Sequence, residues 1–501
     1  MARLLQLSPR PESLYLPTWA LMFRKIGEPM KGKKKQTNQK KRTDRRTGQT
    51  RQNRQNVAGL PTLRTNVAGM DLGSEEHWVC APALDGAGRE IASFGGTTAE
   101  LLRLAAWLKE RKVESVAMES TGVYWIAPHE VLEGQGLQVL LVDTRRLAEV
   151  PGRDKKSDPS DCEWIQKLHS CGLLRGAFRP REEVCMLRTM VRDKGNLTAE
   201  SGDWVRRMQK SLDQMNVRLH RAVSDINGVT GMAILRAIVN GERDPEKLAQ
   251  LRDPRCSNSQ EEIAEQLRGH WREDHLFSLK QALTMYNAVQ ERIAAYDEEI
   301  LRRLGTMERE SVRGTAVPPV KNPNKARSIR KRGEEPMREA LYRMSGVDLT
   351  SIDAIGVETV QVVLSEYGDY LSGFDTEGHF VSHLRLIPHK PTSAGKPLKK
   401  KRRNSASTRV AAALRMAATS MRNSQTALGA YYRHISQRIG GDVAVFATAR
   451  KLAILIYRLL RWGQAYVDEG AEAYERRYQQ NRLLALKSRA KQLGYELVQT
   501  A

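Results

Sequence analysis

The sequence predicts an α/β N-terminal domain, a helical coiled-coil middle and a mostly helical C-terminal domain. Three short β-type runs with turn residues between them come first: "VAGMDLG", "HWVCAPAL" and "REIASFG". Patterns typical of strands and helices then alternate to about residue 180, and helical patterns dominate the remainder. Antiparallel strands that lead into alternating β and α units predict a mixed sheet with helices packed on its faces.

The first helix after these strands is predicted in "TAELLRLAAWLKERK". Leu101, Leu102, Ala105 and Leu108 recur there at helical spacing, and Thr98 is the expected N-terminal cap. The strand "SVAMES", a helix near "YWIAPHEVLEGQG", the apolar strand "LQVLLVD" and a helix from Asp158 follow. The predicted order of elements is therefore β-β-β-α-β-α-β-α.

A heptad repeat marks the middle of the chain, in the segment "SLKQALTMYNAVQERIAAYDEEILRRL". A coiled-coil seam is predicted, because apolar side chains recur every seven residues with a second set between them. The first set is Leu279, Tyr286, Ile293 and Ile300, and the second is Ala282, Val289 and Tyr296. Residues 186–223 offer a second long helix that could pair with this one, and 311–333 have the composition of a flexible basic linker.

The formal charge is concentrated in three short segments. The 501 residues include 82 Lys and Arg against 58 Asp and Glu, which gives +24. Residues 31–56 carry a net charge of +10, and 311–333 and 396–409 carry +7 each, so the remainder is neutral overall. Such local excess predicts contact with a polyanion at defined places.

Composition also bears on the compartment. No apolar run approaches the about 20 residues that a membrane span needs, so no membrane association is expected. The five cysteines are a sparse, odd set that fits a reducing cytoplasm. Residues 31–56 lack the apolar side chains of a core; they form either a basic arm that contacts a partner or a merely solvated upstream extension, because Met22 and Met30 could also serve as starts.

Four carboxylates stand out by their positions in the first domain. Asp71 falls within the first strand, Glu119 ends the strand "SVAMES", and Asp158 and Asp161 lie three apart in "KKSDPSDCEW". Crowded carboxylates repel one another unless divalent cations lie between them, and two such ions about 4 Å apart could activate a water or hydroxyl for phosphodiester cleavage. Taken singly, the residues have structural explanations: Asp158 could cap a helix, Asp71 could cap a turn, and a Glu at a strand end is usually solvated.

Two features stand out in the second domain. In "LTSIDAIGVETVQVVLSEYGD", two apolar helices flank Gly356, as in helix-hairpin-helix elements that aim backbone N–H groups at a phosphate; alternatively, Gly356 simply ends a helix. Ser393 lies in a Pro- and Gly-containing loop before a basic run, where cations could stabilise a phosphate under attack. From chemistry alone, a loop serine is most often a solvated turn residue. The predicted nucleic-acid contacts are Gly356, Lys396, Lys399, Lys400, Lys401, Arg402 and Arg403.

The motifs "GMDLGSEEHWV", "AMESTGVYW" and "KKSDPSDCEWI" resemble the successive signatures of the DEDD-type transposases of bacterial insertion sequences, the one-ten family and its eleven-eleven subgroup. The similarity extends over roughly residues 65–468. It implies a ribonuclease-H-like catalytic domain of the Holliday-junction resolvase type. It also implies that Asp71, Glu119, Asp158 and Asp161 are the D, E, D and D that bind magnesium.

The resemblance also gives Ser393 a role. Pro388, Ser393, Gly395 and Lys396 fit the family's transposase-domain signature, which implies that Ser393 is the nucleophile that forms a covalent phosphoserine link to DNA, with Thr392 as the nearby alternative. Two departures occur: Arg385 stands where the family usually has Gly, and "KKKRRNSASTR" replaces an "ISKRG" type of stretch. Members are also thought to act with a structured noncoding guide RNA, so that base pairing selects the DNA sites.

The expected limits are 1–64 for a disordered basic arm, 65–180 for the ribonuclease-H-like domain, 181–308 for the coiled-coil region, 309–336 for a basic linker, 337–468 for the transposase domain and 469–501 for a charged helical tail. The predicted function is that of a site-specific DNA recombinase of a mobile element. It is expected to work as a dimer or tetramer in the bacterial cytoplasm, near the nucleoid. The alternatives are a metal-dependent junction-type endonuclease, an inactive nucleic-acid-binding relative and, least favoured, a phosphotransferase.

Overall fold

The computed structural model divides into two compact units, Met1–Ala177 and Phe178–Ala501, which are described separately below. The residues that the structure describes are 60–86, 88–120, 122–142, 158–369, 371–387, 392–393, 396–397, 408–463 and 468–496. The predicted basic arm lies outside these residues up to position 59.

The first unit is built on a five-stranded mixed sheet of strand order β3-β2-β1-β4-β5. Its strands are β1 Val67–Leu72, β2 Glu76–Pro82, β3 Arg89–Gly95, β4 Ser115–Glu119 and β5 Gln138–Val142. β1 pairs antiparallel with β2, and β2 with β3, whereas β1 and β4, and β4 and β5, are parallel. The mixed sheet predicted from the pattern of short strands is therefore present.

Helices cover both faces of this sheet. They are α1 Thr98–Glu110, α2 Ile126–Gly134 and α3 Asp158–Ser170. Even-numbered residues of β1, such as Met70, share a core with Leu101 of α1 and Leu132 of α2. On the opposite face, Ala117 of β4 packs with Ile165 of α3. Helix α1 begins with Thr97 as its cap, one residue before the predicted Thr98, because the Thr97 hydroxyl accepts a hydrogen bond from the backbone N–H of Glu100.

Helix α3 lies unusually close to β1 because Gly69 has no side chain. A Cβ atom at Gly69 would lie 2.1 Å from the backbone nitrogen of Gln166 and 2.5 Å from the carbonyl oxygen of Cys162. The Gln166 side chain donates a hydrogen bond to the carbonyl oxygen of Val67 at 3.2 Å. Close backbone approach therefore fixes the position of α3 along β1.

The second unit is helical apart from a two-stranded ribbon, within the residues that the structure describes. Its helices are α4 Glu182–Gln214, α5 Leu219–Ala222, α6 Val229–Val239, α7 Pro245–Gln250, α8 Gln260–Leu267, α9 Glu273–Thr306, α10 Pro323–Arg332, α11 Glu335–Ser345, α12 Val357–Tyr367, α13 Glu377–His383, α14 Arg409–Thr419, α15 Ala427–Ile439, α16 Gly441–Trp462 and α17 Gly470–Gln492. The ribbon consists of β6 Thr392–Ser393 and β7 Lys396–Pro397. Short 3-10 helices cover Glu310–Val312, Leu349–Ser351 and Ser420–Asn423.

Helices α4 and α9 form a long antiparallel hairpin. The predicted seam residues Leu279, Tyr286 and Ile300 are buried, and Ile293 is half-buried. The Lys194 ammonium on α4 forms an ion pair with the Asp297 carboxylate on α9. One end of the hairpin shares a core with α5–α8, and the other end shares a core with the C-terminal helices. The heptad seam is thus filled by α4 of the same chain.

A flexible segment was the wrong prediction for Pro323–Arg332, which is helix α10. The Asn322 side chain caps this helix, and Ile329, its one large apolar residue, is buried in the C-terminal core. The Lys325 ammonium donates hydrogen bonds to the carbonyl oxygens of Thr350 and, at 2.9 Å, of Ile352. Burial outweighs nearby carboxylates and lowers the pKa of Lys325 to about 8. Part of the basic segment therefore anchors the C-terminal core.

The C-terminal helices pack around α16, whose Tyr457 is fully buried and donates a hydrogen bond to the carbonyl oxygen of Phe374. Helix α17 contributes no buried residue. The five cysteines are free thiols. Over the part of the chain with assigned structure, no helix has the length and apolar character to span a membrane.

Candidate active site

Asp71 and Glu119 are cross-strand neighbours at the carboxyl edge of the sheet. The parallel pairing of β1 and β4 aligns Val67 with Ser115 and continues to Met70 with Met118. Asp71 and Glu119 are the next residues on the two strands, so they share a register. Both are half-buried and belong to the face that α3 covers, because side chains alternate along a strand and Ala117 faces α3.

The first turn of α3 brings Asp158 and Asp161 toward the same edge. Gln166 contacts the start of β1 and Cys162 lies over Gly69, so α3 runs antiparallel to β1 and begins near its carboxyl end. Asp161 is only 6% exposed, and it lies one turn before Ile165, which packs on Ala117. Asp158 is the first residue of the helix, and its side chain lies outside the described residues.

Asp71 lies close to the start of α3. Cys162 lies over Gly69, and Asp71 is two residues further along β1 on the same face, so it is near the residue that follows Asp161. Burial raises the pKa of the Cys162 thiol to about 12, and the neighbouring Cys80 and the Asp71 carboxylate raise it further. The two buried thiols are protonated at neutral pH, so neither is a reactive nucleophile.

The oxygen-only donor set fits a hard divalent cation such as Mg²⁺. Two half-buried carboxylates lie in one register, and a third, buried carboxylate lies on the covering helix, so all three candidate ligands are oxygen donors. Among the described side chains, which do not include that of Asp158, no group of three His, Cys, Asp or Glu residues lies close enough to hold a metal ion. The backbone thus gathers Asp71, Glu119 and Asp161 at one edge, with their carboxylates still spread apart.

The backbone of Ser393 lies in the two-stranded ribbon of the second unit. Ser393 is the cross-strand partner of Lys396, and Thr392 is the partner of Pro397. The side chains of these residues are outside the described set, as are Pro388, Gly395 and the basic residues Lys399, Lys400, Lys401, Arg402 and Arg403. The role predicted for Ser393 is therefore not tested by its surroundings.

Comparisons with protein families match both parts of the chain. The DEDD transposase model of the IS110 family matches residues 68–217, and the model described as "Transposase IS116/IS110/IS902 family" matches residues 346–433. The chain belongs to this transposase family. The comparison with curated proteins gave no match.

Family membership makes the chain a DNA transposase. The IS110-family DEDD match contains Asp71, Glu119, Asp158 and Asp161, and the second match contains Gly356 and Ser393. Each family match therefore holds one of the two candidate sites.

Arg385 of this transposase occupies a left-handed backbone conformation, with φ of 58°. A side chain is disfavoured there, whereas glycine is not. This conformation gives a physical reason for the glycine that the family usually has at that position.

Gly356 begins helix α12 rather than ending a helix. The element before it is the 3-10 helix Leu349–Ser351. The prediction of an apolar α-helix directly before Gly356 was therefore wrong. Gly356 lines a groove of about 660 Å³, together with Lys325 and Arg332 of α10 and the carboxylates of Glu334, Asp353 and Glu358. Lys325 already donates to two carbonyl oxygens, so the phosphate contact predicted at Gly356 depends on the backbone N–H groups at the start of α12.

Sequence reasoning missed Trp78. The antiparallel register of β1 and β2 places Trp78 directly opposite Asp71, and it is half-buried. Ser93 follows as the partner of Trp78 on β3, so one row of side chains crosses the sheet beside the carboxylates. Counting residues outward from the turn between β1 and β2 would have revealed this pairing, because a short hairpin fixes its register.

Proposed function

We propose that this transposase acts as a site-specific recombinase that cuts and rejoins DNA strands to move a mobile element. The observation that carries the proposal is the shared register of Asp71 and Glu119, with Asp161 on the helix that covers them. Asp71, Glu119, Asp158 and Asp161 would hold magnesium. The strand order of the sheet supports the assignment of a ribonuclease-H-like domain of the resolvase type.

The carboxylates have a defined task in this proposal. Bound magnesium would polarise a phosphodiester oxygen and stabilise the charge on the leaving oxygen. Asp71 and Glu119 provide neighbouring oxygen ligands from rigid strands, and the packing of Ile165 on Ala117 holds Asp161 above them. Sites on strands and packed helices keep ligands in place better than sites on loops.

Ser393 is the proposed nucleophile. Its hydroxyl loses a proton to a base and its Oγ forms a bond to phosphorus. The bond from phosphorus to a deoxyribose oxygen breaks, and that oxygen takes up a proton to leave as a hydroxyl. A phosphoserine link conserves the energy of the phosphodiester, so a second hydroxyl can reverse the step and join new strands. The basic residues Lys396, Lys399, Lys400, Lys401, Arg402 and Arg403 would neutralise the phosphate backbone, and the N–H groups at Gly356 would position it.

Single substitutions of Asp71→Asn and Ser393→Ala test this mechanism. Each should abolish recombination of a donor and a target plasmid, because one removes a metal ligand and the other removes the attacking oxygen. DNA binding, measured by gel shift, should stay near that of the unmodified chain. Glu110→Gln, an exposed change on α1, serves as the control and should retain activity. Full activity in Ser393→Ala would exclude the covalent mechanism and favour a metal-dependent junction endonuclease.

A guide RNA and a homo-oligomer complete the proposal. The three basic segments suit contact with the phosphate backbone of nucleic acid, which is the same for every base sequence. Base pairing with a guide RNA would then select the DNA site. Sequencing the RNA that copurifies with the protein from its bacterial host should yield one defined noncoding species that derives from the element. RNA of random origin would instead favour direct protein readout. A dimer or tetramer would need a surface other than the heptad seam, which α4 already fills.

A further inference from the structure

A pocket of about 290 Å³ lies between helices α15, α16 and α17, and no residue of either candidate site lines it. Its apolar side is formed by Leu428, Ile454 and Leu455, and Tyr474 contributes an aromatic ring. Lys451, Arg458 and Arg477 supply positive charge. Its volume is near the lower limit of about 300 Å³ for small-molecule sites.

Among the described residues, Lys451 is the cation of this pocket that forms no ion pair within 4 Å; the pocket-lining carboxylate of Glu469, which pairs with Arg477, acts on it only at longer range. Arg458 forms a bidentate pair with Glu377, at 2.6 and 3.0 Å, and Arg477 pairs with Glu469. The Lys451 ammonium instead lies 3.9 Å from the ring centroid of Tyr431. Burial lowers the pKa of Lys451, so an anion beside it would relieve an unfavourable environment for the charge.

Aromatic and basic side chains alternate along α17 beside the pocket, and Tyr474 and Arg477 are the two of them that line it. Tyr474 lies edge-to-face with Tyr431 at 6.4 Å and is stacked with Tyr478 at 6.3 Å. The guanidinium groups of Arg477 and Arg482 lie over the rings of Tyr474 and Tyr478, at 5.8 and 6.0 Å. Interleaved rings and cations are typical of surfaces that bind single-stranded nucleic acid, where bases stack and phosphates meet positive charge.

We propose that this pocket holds one unpaired nucleotide of a single-stranded nucleic acid, with its phosphate beside Lys451 and its base against Tyr474 and the apolar side. A duplex cannot enter in this way, because its bases are paired and stacked. The inference rests on the proposed function only for the source of the strand, since recombination and guide pairing both leave bases unpaired. A DNA strand and an RNA strand share the required chemistry.

Binding of labelled 12-nucleotide single strands to the full chain tests the proposal. In Lys451→Met the affinity should fall about 5- to 10-fold at low salt, and the slope of log K against log salt should become shallower by about 0.7, the value for one phosphate contact. Lys487→Met removes the same charge from the exposed part of α17 and is the matched control, with a change of less than about two-fold expected. Equal effects of the two variants, or none, would overturn the proposal.

Photocrosslinking supplies a second readout that does not depend on a variant. Strands that contain 5-iodouracil should crosslink to the peptide with Tyr474, and excess unlabelled single strand should compete while duplex should not. Crosslinks confined to other peptides would overturn the proposal. Parallel DNA and RNA strands identify the source of the nucleotide. Because the assay needs no magnesium and no strand transfer, Asp71→Asn should crosslink normally, which separates this inference from the recombination mechanism.

Discussion

At Gly69, a hydrogen atom in place of a methyl group determines how closely α3 approaches the sheet. The contacts that a Cβ would make are with backbone atoms of Gln166 and Cys162, which cannot rotate away as a flexible side chain could. The position of Asp161 relative to Asp71 and Glu119 therefore depends on a residue that carries no chemistry itself.

Gly69→Ala should lower the stability of the first unit by about 2 to 3 kcal/mol, the usual cost of overpacking a core. For a unit of this size the melting temperature should fall by roughly 5 to 10 °C. Recombination should also fall, because α3 must shift and take Asp161 with it.

Gly305→Ala is the matched control, because a methyl group there meets no atom within 4 Å. Its melting temperature should stay the same or rise slightly, since alanine favours a helix more than glycine does. Thermal unfolding followed by circular dichroism provides the measurement. An unchanged melting temperature for Gly69→Ala would contradict the packing of α3 on β1.

The placement of the acidic residues could be predicted because strand order and register follow from short-range patterns. Asp71 lies one residue before the end of β1 and Glu119 ends β4, so a parallel pairing of those strands brings them together. The part played by Gly69 could not be predicted in the same way. It depends on which helix packs against β1, and that is decided by tertiary structure.

At the scale of elements, periodicity predicted the long helices well. Composition was a poorer guide to which segments are flexible. The seven-residue repeat of α9 specifies one apolar stripe, and α4 covers it as expected. The composition of α10 suggested a flexible linker, because its mean hydropathy is low and it carries many cations. The Asn322 cap and the single buried side chain of Ile329 suffice to hold it as a helix.

Helix α12 illustrates a related error. An apolar run before Gly356 resembles a helix, but the chain there forms a 3-10 turn and then a left-handed residue, Ala354, with φ of 64°. Tight local geometry of this kind has no periodic signal. The sequence could predict that a turn precedes α12, whereas the path of the backbone through it could not be predicted.

At the scale of the whole molecule, the division of charge separates binding from chemistry. The excess of +24 equals the charge of three short segments, so the rest of the chain is neutral overall. Within that remainder, Asp71, Glu119 and Asp161 lie at one sheet edge. A DNA transposase needs both parts, because basic segments attract the phosphate backbone and would not by themselves cleave it.

The acidic edge should therefore make the protein's stability depend on divalent cations. Magnesium at 100 times its dissociation constant would stabilise the folded state by about 2.7 kcal/mol, since it binds the folded chain alone. The melting temperature of the first unit should rise by roughly 5 to 10 °C, at about 2 to 4 °C per kcal/mol. Differential scanning fluorimetry with and without magnesium chloride measures this shift.

Asp71→Asn should lose most of that rise, because one oxygen ligand for magnesium is gone. Glu110→Gln removes an equal charge from the exposed surface of α1 and should keep the full response. Equal magnesium responses in the two variants would place the cation elsewhere. No response in the unmodified chain would favour an inactive nucleic-acid-binding relative, because its basic segments would remain without a working acidic site.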